Sequence, residues 1–208
     1  MQRRTAKMVI DYQNIHLTGH GIFAPNGVAK HESLVHPLHF ANQWLAVRNH
    51  VFATQAMAKG EEPVAYELTK IVVYRGLPSN SENPNGYRRN QAQQSEWTRD
   101  PRVEVVHRGL RYSWVNGEKH AQEKGVDVLV ALDFVRSADR GDADAVILAS
   151  HDTDLEPALA AAFESGKVSV ETAGWKGCRI LKVPGQRVWH TSLHGAHFVQ
   201  ARDRKDYT

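Results

Sequence analysis

The chain has 208 residues and a formal net charge of +3, a length that suits one domain with its own core. Its single cysteine, Cys178, excludes a disulfide framework and a four-thiolate zinc site, and low cysteine use suits a reducing, cytoplasmic setting. No run approaches the roughly 20 apolar residues of a membrane helix, and Met8-Val9-Ile10 behind Arg3, Arg4 and Lys7 is too short for the apolar core of a signal peptide.

Lys7 to Asp11 predicts a first strand. From Asn14 to His36 there is no clean period, and Gly19, Gly21, Pro25, Asn26 and Gly27 predict a loop or lid, part of an insertion at about 15–70. His36-Pro37 opens a helix with proline at its first position. Ile71 to Tyr74 predicts a second strand, ended by Arg75-Gly76-Leu77-Pro78 and followed by a surface loop over 79–86. Tyr87 to Trp97 reads as a helix, Val103 to His107 as a third strand, and Gly109 to Gly117 as a loop or hairpin.

Glu123 to about Arg136 is the clearest helix, because Val128, Leu132 and Val135 share one face. Ala143 to Ala149 is a fourth strand, Thr153 to Ser165 an alanine-rich helix stopped by Gly166, and Val168 to Thr172 a fifth strand. A C-terminal extension at about 175–208 mixes short strands with a last helix near Ser192 to Ala201. Alternating strands and helices predict an α/β fold with a mostly parallel sheet.

The chemistry concentrates at two strand tips: Asp11 with Asn14 after the first strand, and Asp152 with Asp154 after the fourth. Open parallel sheets place their sites outside the carboxyl ends of their strands. Asp127 opens a helix after Lys124-Gly125-Val126, where it would face the same crevice if that helix packs beside those strands. Clustered carboxylates are costly unless a cation neutralises them, and magnesium and manganese favour such hard oxygen donors. Each aspartate also has a structural reading as a helix cap or dipole partner. Asp133 follows Asp127 by six residues and points about 240° away on a regular helix, so it is a supporting or surface acid and no ligand. Between Tyr87 and Lys124, Arg88, Arg89, Arg108 and Arg111 alternate with Trp97, Tyr112 and Trp114, a composition that suits single-stranded nucleic acid or, equally, a solvated face with core aromatics. His194 and His197 share a helical spacing near His190, but no further zinc ligand is evident.

Asp11-x-x-Asn14, Lys124-Gly125-Val126-Asp127 with Asp133, and Ser150-x-Asp152-x-Asp154 occur in this order. Together they resemble the motif set of the NYN domain family, part of the PIN-like nucleases, over about residues 7–174. The resemblance implies a PIN-like three-layer α/β/α sandwich and metal-dependent endoribonuclease activity with Mg2+ or Mn2+. Asp11, Asp127, Asp152 and Asp154 would form the acidic site and Asn14 its polar neighbour. Lys124 and Ser150 belong to the motifs, and with Arg88, Arg89, Arg108 and Arg111 would meet RNA, single-stranded or structured.

His151 stands where the family often has glycine, and Leu155 where it often has phenylalanine. His151 is the one feature favouring the alternative, a catalytically silent module that binds RNA or a partner. Phosphatase chemistry of the haloacid-dehalogenase type lacks its second aspartate, since position 13 is Gln, and no glycine-rich loop for a nucleotide cofactor follows the first strand. Self-association through the 15–70 segment or the histidine-rich tail stays open.

Overall fold

The computed structural model describes residues 2–115 and 117–207. In chain order the elements are β1 (Gln2–Asp11), α1 (Tyr12–Phe23), α2 (Pro37–Lys59), β2 (Val64–Leu77), α3 (Pro84–Trp97), β3 (Val103–Gly109), β4 (Arg111–Val115), β5 (Glu118–Gln122), α4 (Val126–Arg140), β6 (Ala145–Ala149), α5 (Glu156–Ser165), β7 (Ser169–Trp175), β8 (Trp189–Leu193) and α6 (Gly195–Ala201). Six strands form one sheet in the order β3-β2-β1-β6-β7-β8, and every described pairing within it is parallel. β4 and β5 form a separate antiparallel hairpin, which resolves the 109–117 segment as the hairpin of the two readings; residue 116 lies outside the described residues.

The all-parallel sheet explains why Ala145–Ala149 carries no alternation. All five residues are buried, because helices cover both faces. On one face Met8, Ile10, Ile71, Val73, Ile147 and Trp175 pack against Ile15 of α1, Phe40 and Trp44 of α2, Trp97 of α3 and Phe198 of α6. On the other, Val9, Val72, Val146, Leu148 and Val170 pack against Val130 and Phe134 of α4 and Leu159 of α5. The result is the three-layer α/β/α sandwich that the motifs imply. No helix among the described residues is long and apolar enough to cross a membrane.

The loop expected over 14–36 is corrected over its first part, where the chain forms α1. Gly19 and Gly21 weaken helix propensity and blur the period, but Gly19 has a packing purpose. A Cβ there would sit 2.7 Å from Nε1 of Trp175. That close approach lets the indole nitrogen donate to the Ile15 carbonyl at 2.7 Å. Packing against the sheet, rather than local preference, makes this helix. The segment between 15 and 70 thus supplies α1, α2 and the first half of β2.

The other helices begin and end for local reasons. Pro37 opens α2 and Pro84 opens α3, where the missing N–H costs nothing. Gly60, Gly141 and Gly166 end α2, α4 and α5 in the left-handed conformation. Asp133 pairs with Lys7 of β1 at 3.0 Å, together with Ser137 and Asp142, so it clamps α4 to the sheet as a support.

α2 is tied to β7 by a buried ion pair. Arg48 donates to Glu171 at 3.1 Å, with side chains 4% and 2% exposed. Its guanidinium lies between the rings of Phe52 and Tyr66, at 3.6 and 3.5 Å from their centroids. Removing one partner strands a buried charge, whereas removing both need not. Glu171→Leu alone is expected to cost about 3–5 kcal/mol, and the double change Arg48→Met with Glu171→Leu to recover most of it. Urea unfolding of these two variants and of Arg48→Met alone checks this, and additive losses would show that the pair is uncoupled.

Candidate active site

Strand register builds the site. Ile10 of β1 lies opposite Ala149 of β6, so Asp11, the last residue of β1, and Ser150, the first after β6, stand side by side. The strand order reverses here: β2 and β3 extend to one side of β1, β6 to β8 to the other. Such a switch point leaves a crevice between diverging connections. Asp11 accepts a hydrogen bond from Ser150 Oγ at 3.0 Å and one from the Asn14 amide at 3.3 Å, which caps α1. Ser150 Oγ in turn accepts from the Asp152 amide at 3.1 Å.

Beyond Ser150 the chain makes a short 3-10 turn over Thr153–Leu155, capped by Asp152, whose Oδ1 accepts from the Asp154 amide at 3.0 Å. Asn14 Oδ1 accepts from the His151 amide at 2.8 Å, which joins the start of α1 to the β6 turn. On the opposite wall, Gly125 adopts φ 79° before α4 and sets Asp127 in the first helical turn. A cleft of about 480 Å3 runs between them, lined by Asp11, Asn14, Asp127 and Asp152 together with Lys124 and Glu123.

The structure therefore brings Asp11, Asn14, Lys124, Asp127 and Asp152 to one cleft, with Ser150 behind Asp11. Asp154 is exposed and stands outside the cleft lining; it meets the site through its amide. Arg108 donates from Nε to the Lys124 carbonyl at 2.6 Å and packs beside Gly125, at the cleft rim. Arg111 is exposed on the hairpin. Arg88 and Arg89 line a different cavity with Tyr207, so the arginine-rich segment is divided between two surfaces.

Glu123 is the residue that sequence reasoning missed. It sits between β5 and α4 and accepts from the Gly76 amide at 2.6 Å. With its amide nitrogen turned towards Glu123, Gln13 also donates at 2.7 Å. Gly76 lets Glu123 approach the backbone closely, since a Cβ there would meet Leu110 Cδ2 at 2.4 Å and Glu123 Oε1 at 2.5 Å and displace both side chains. The signal was an acid directly before Lys124-Gly125; its direction depends on how the hairpin folds back.

Crowded acids raise one another's pKa. Burial, helped by the negative charges of Glu123 and Asp152, lifts Asp11 to about 6 against the pull of Asn14 and Ser150. Burial also raises Glu123, with Asp127 adding to it and Gly76 and Arg75 opposing it. Among the described residues no three acids or histidines converge tightly enough to cage a metal by themselves. The donor set nonetheless suits Mg2+ or Mn2+, which keep several waters and need only one or two carboxylates. A cation would offset the burial cost that chiefly holds Asp11 high, together with the repulsion from Glu123 and Asp152.

His151 turns away from the cleft. Its Nε2 accepts from the Trp175 amide at 2.9 Å, so Nδ1 carries the proton and donates to the Arg179 carbonyl at 2.8 Å. Burial lowers its pKa, which keeps this neutral tautomer. The ring lies on Gly174, where a Cβ would fall 2.2 Å from Cε1. His190 and His197 each have Nδ1 engaged, by Thr172 Oγ1 and by the His194 amide. Gly174→Ala is expected to lower the melting temperature by several degrees, a loss of about 1–3 kcal/mol from overpacking, and His151→Gly in the same chain to restore part of it. Thermal scans of both variants check this, and equal melting of the single and double variants would overturn it.

No curated protein matches this chain. Among solved structures, a protein of unknown function from Vibrio parahaemolyticus RIMD 2210633 is 18% identical, with a TM-score of 0.49 and 85% of each chain covered. The NYN domain model matches residues 8–178, a span from β1 past the end of β7 that contains the whole acidic cleft. The chain belongs to the NYN domain family and carries its PIN-like nuclease fold.

Proposed function

We propose that the cleft is the site of a metal-dependent endoribonuclease that hydrolyses RNA phosphodiester bonds. The observation that carries this reading is the meeting of Asp11, Asp127, Asp152 and Glu123 on one cleft at the sheet's switch point, with Asp11 raised to about 6. Asp11, Asp127 and Asp152 would hold Mg2+ or Mn2+, in part through water, and Glu123 would anchor that water. When bound, such an ion would make water a better nucleophile and neutralise charge on the phosphate.

The chain's own groups prepare the site. Ser150 and the Asn14 amide fix both oxygens of Asp11, and the Asp154 amide fixes Asp152. Lys124 offers its ammonium to a phosphate at the cleft wall. Arg108 and Arg111 extend positive charge along the rim, and the hairpin adds Trp114, 70% exposed, as a face on which an unpaired base can stack. The competing reading, a silent RNA- or partner-binding module, draws on the absence of a tight acid cage among the described residues. Turnover separates the two.

Wild type incubated with labelled single-stranded RNA and Mn2+ or Mg2+ is expected to cut it, and EDTA to stop the cutting. Asp152→Asn and Asp127→Asn should lose on the order of 100-fold, and Ser150→Ala about 10-fold. Intact RNA across single-stranded and structured substrates, with RNA binding retained, would favour the silent module.

The raised Asp11 pKa gives a second test with its own sign. In the fold the neutral form is preferred, so metal-free stability falls as pH rises from about 4 to 6 and then levels off. The full effect is roughly 3 kcal/mol. Relative to Asp11→Asn, wild type is expected to lose melting temperature over this window, and Mn2+ to restore it at pH 7.5 but not at pH 5. Parallel melting of the two proteins at every pH would sink this assignment.

A further inference from the structure

Beside the acidic cleft lies a second cavity of about 320 Å3, and the two share Gln13, Leu17 and Glu123. Arg75, at the end of β2, and Lys30 stand in its wall. Arg75 is held rigidly. Its guanidinium lies over the rings of Tyr12 and Trp97, 4.6 and 5.1 Å from their centroids. Nη1 donates to Gln93 Oε1 at 2.7 Å, and Nε is sealed from solvent with no hydrogen-bond partner.

Among the described residues no carboxylate lies within ion-pair distance of Arg75. Glu123 acts on it at longer range. Arg75 is only half-buried, but a guanidinium even partly withdrawn from water is costly unless it is paired. One neutral amide and two ring faces compensate it in part. Lys30 adds a second cation with no ion pair among the described residues, and its loop is fastened to α1 by His16, whose Nε2 donates to the Lys30 carbonyl at 2.9 Å. The cavity is thus a fixed positive site awaiting an anion, one wall away from the acids.

We propose that this cavity is a phosphate subsite, in which Arg75 and Lys30 bind a phosphate group of the RNA adjoining the one in the acidic cleft. This rests on the reading of the cleft as an RNA-cleaving site. Arg75 provides planar, preorganised donors, and Lys30 a mobile charge that closes over the group. Glu123 forms the partition between the cavities, so that negative charge and metal lie on one side and phosphate-binding cations on the other. A strand crossing the partition would have its register set by the subsite.

The test is RNA binding without metal, measured by fluorescence anisotropy with 5′-phosphorylated and 5′-hydroxyl oligonucleotides. Lys30→Gln, Arg75→Gln and a control at the far end of α2, Lys59→Gln, are compared with wild type. Lys30→Gln is expected to weaken binding about 5-fold and Arg75→Gln about 10-fold, each lowering the salt dependence by about one released ion. The control should bind as wild type does. Loss confined to the 5′-phosphorylated RNA assigns a terminal phosphate, and equal loss on both an internal one.

Unchanged binding by Lys30→Gln with retained melting temperature overturns the subsite. So does weakening by Arg75→Gln that comes only with a fall in melting temperature. Lys30 is exposed at the start of a short 3-10 turn, so its variant keeps the test decisive if Arg75→Gln fails to fold. Failure of wild type to cleave RNA with metal would refute the reaction, while these metal-free affinities would still decide the subsite.

Discussion

The hydrogen bond between Ser150 and Asp11 joins the tips of the two central strands, and the rest of the site depends on it. Asp11 ends β1, caps α1 and presents a carboxylate to the cleft, all with one buried side chain. Burial makes that carboxylate expensive to ionise, yet both of its oxygens are given donors. The same Ser150 oxygen accepts from the Asp152 amide, so the second acid is placed by reference to the first. Parallel pairing of β1 with β6 is what allows one hydroxyl to serve both.

A second support stands behind this pair. His151 bridges the β7 backbone and the Arg179 carbonyl, while its own amide is held by Asn14. The histidine that departs from the family pattern is therefore a strut between β6, β7 and the following loop, and leaves the cleft to the acids. It fits because Gly174 presents no side chain beneath it. The histidine in the turn after β6 and the glycine within β7 are complementary halves of one contact.

Charge is sorted across short distances. The acids face the cleft, Lys124 and Arg108 stand at its rim, and Arg75 with Lys30 occupies the adjoining cavity. Glu123 lies between and feels both, raised by burial and by Asp127 but lowered by Arg75. A polyanion crossing this boundary would meet attraction, then a need for metal, in a set order along its length.

The sequence by itself determined the α/β class, the strands that carry the acids, the opening of α2 at Pro37, the end of α5 at Gly166, and that Asp133 points away from the helix face of Asp127. These follow from short-range rules: apolar runs, proline and glycine punctuation, and the angle between residues on one helix. The tertiary structure alone decided that 12–23 is a helix, since its glycines lower propensity and packing against the sheet, including Trp175 on Gly19, compensates. It also admitted Glu123 to the cleft, set Asp154 outside its lining and sent Arg88 and Arg89 to another surface. Those outcomes turn on which way a side chain faces after the hairpin folds back and the 3-10 turn closes. Direction of that kind is set by contacts between residues far apart in the chain, which spacing along it does not encode.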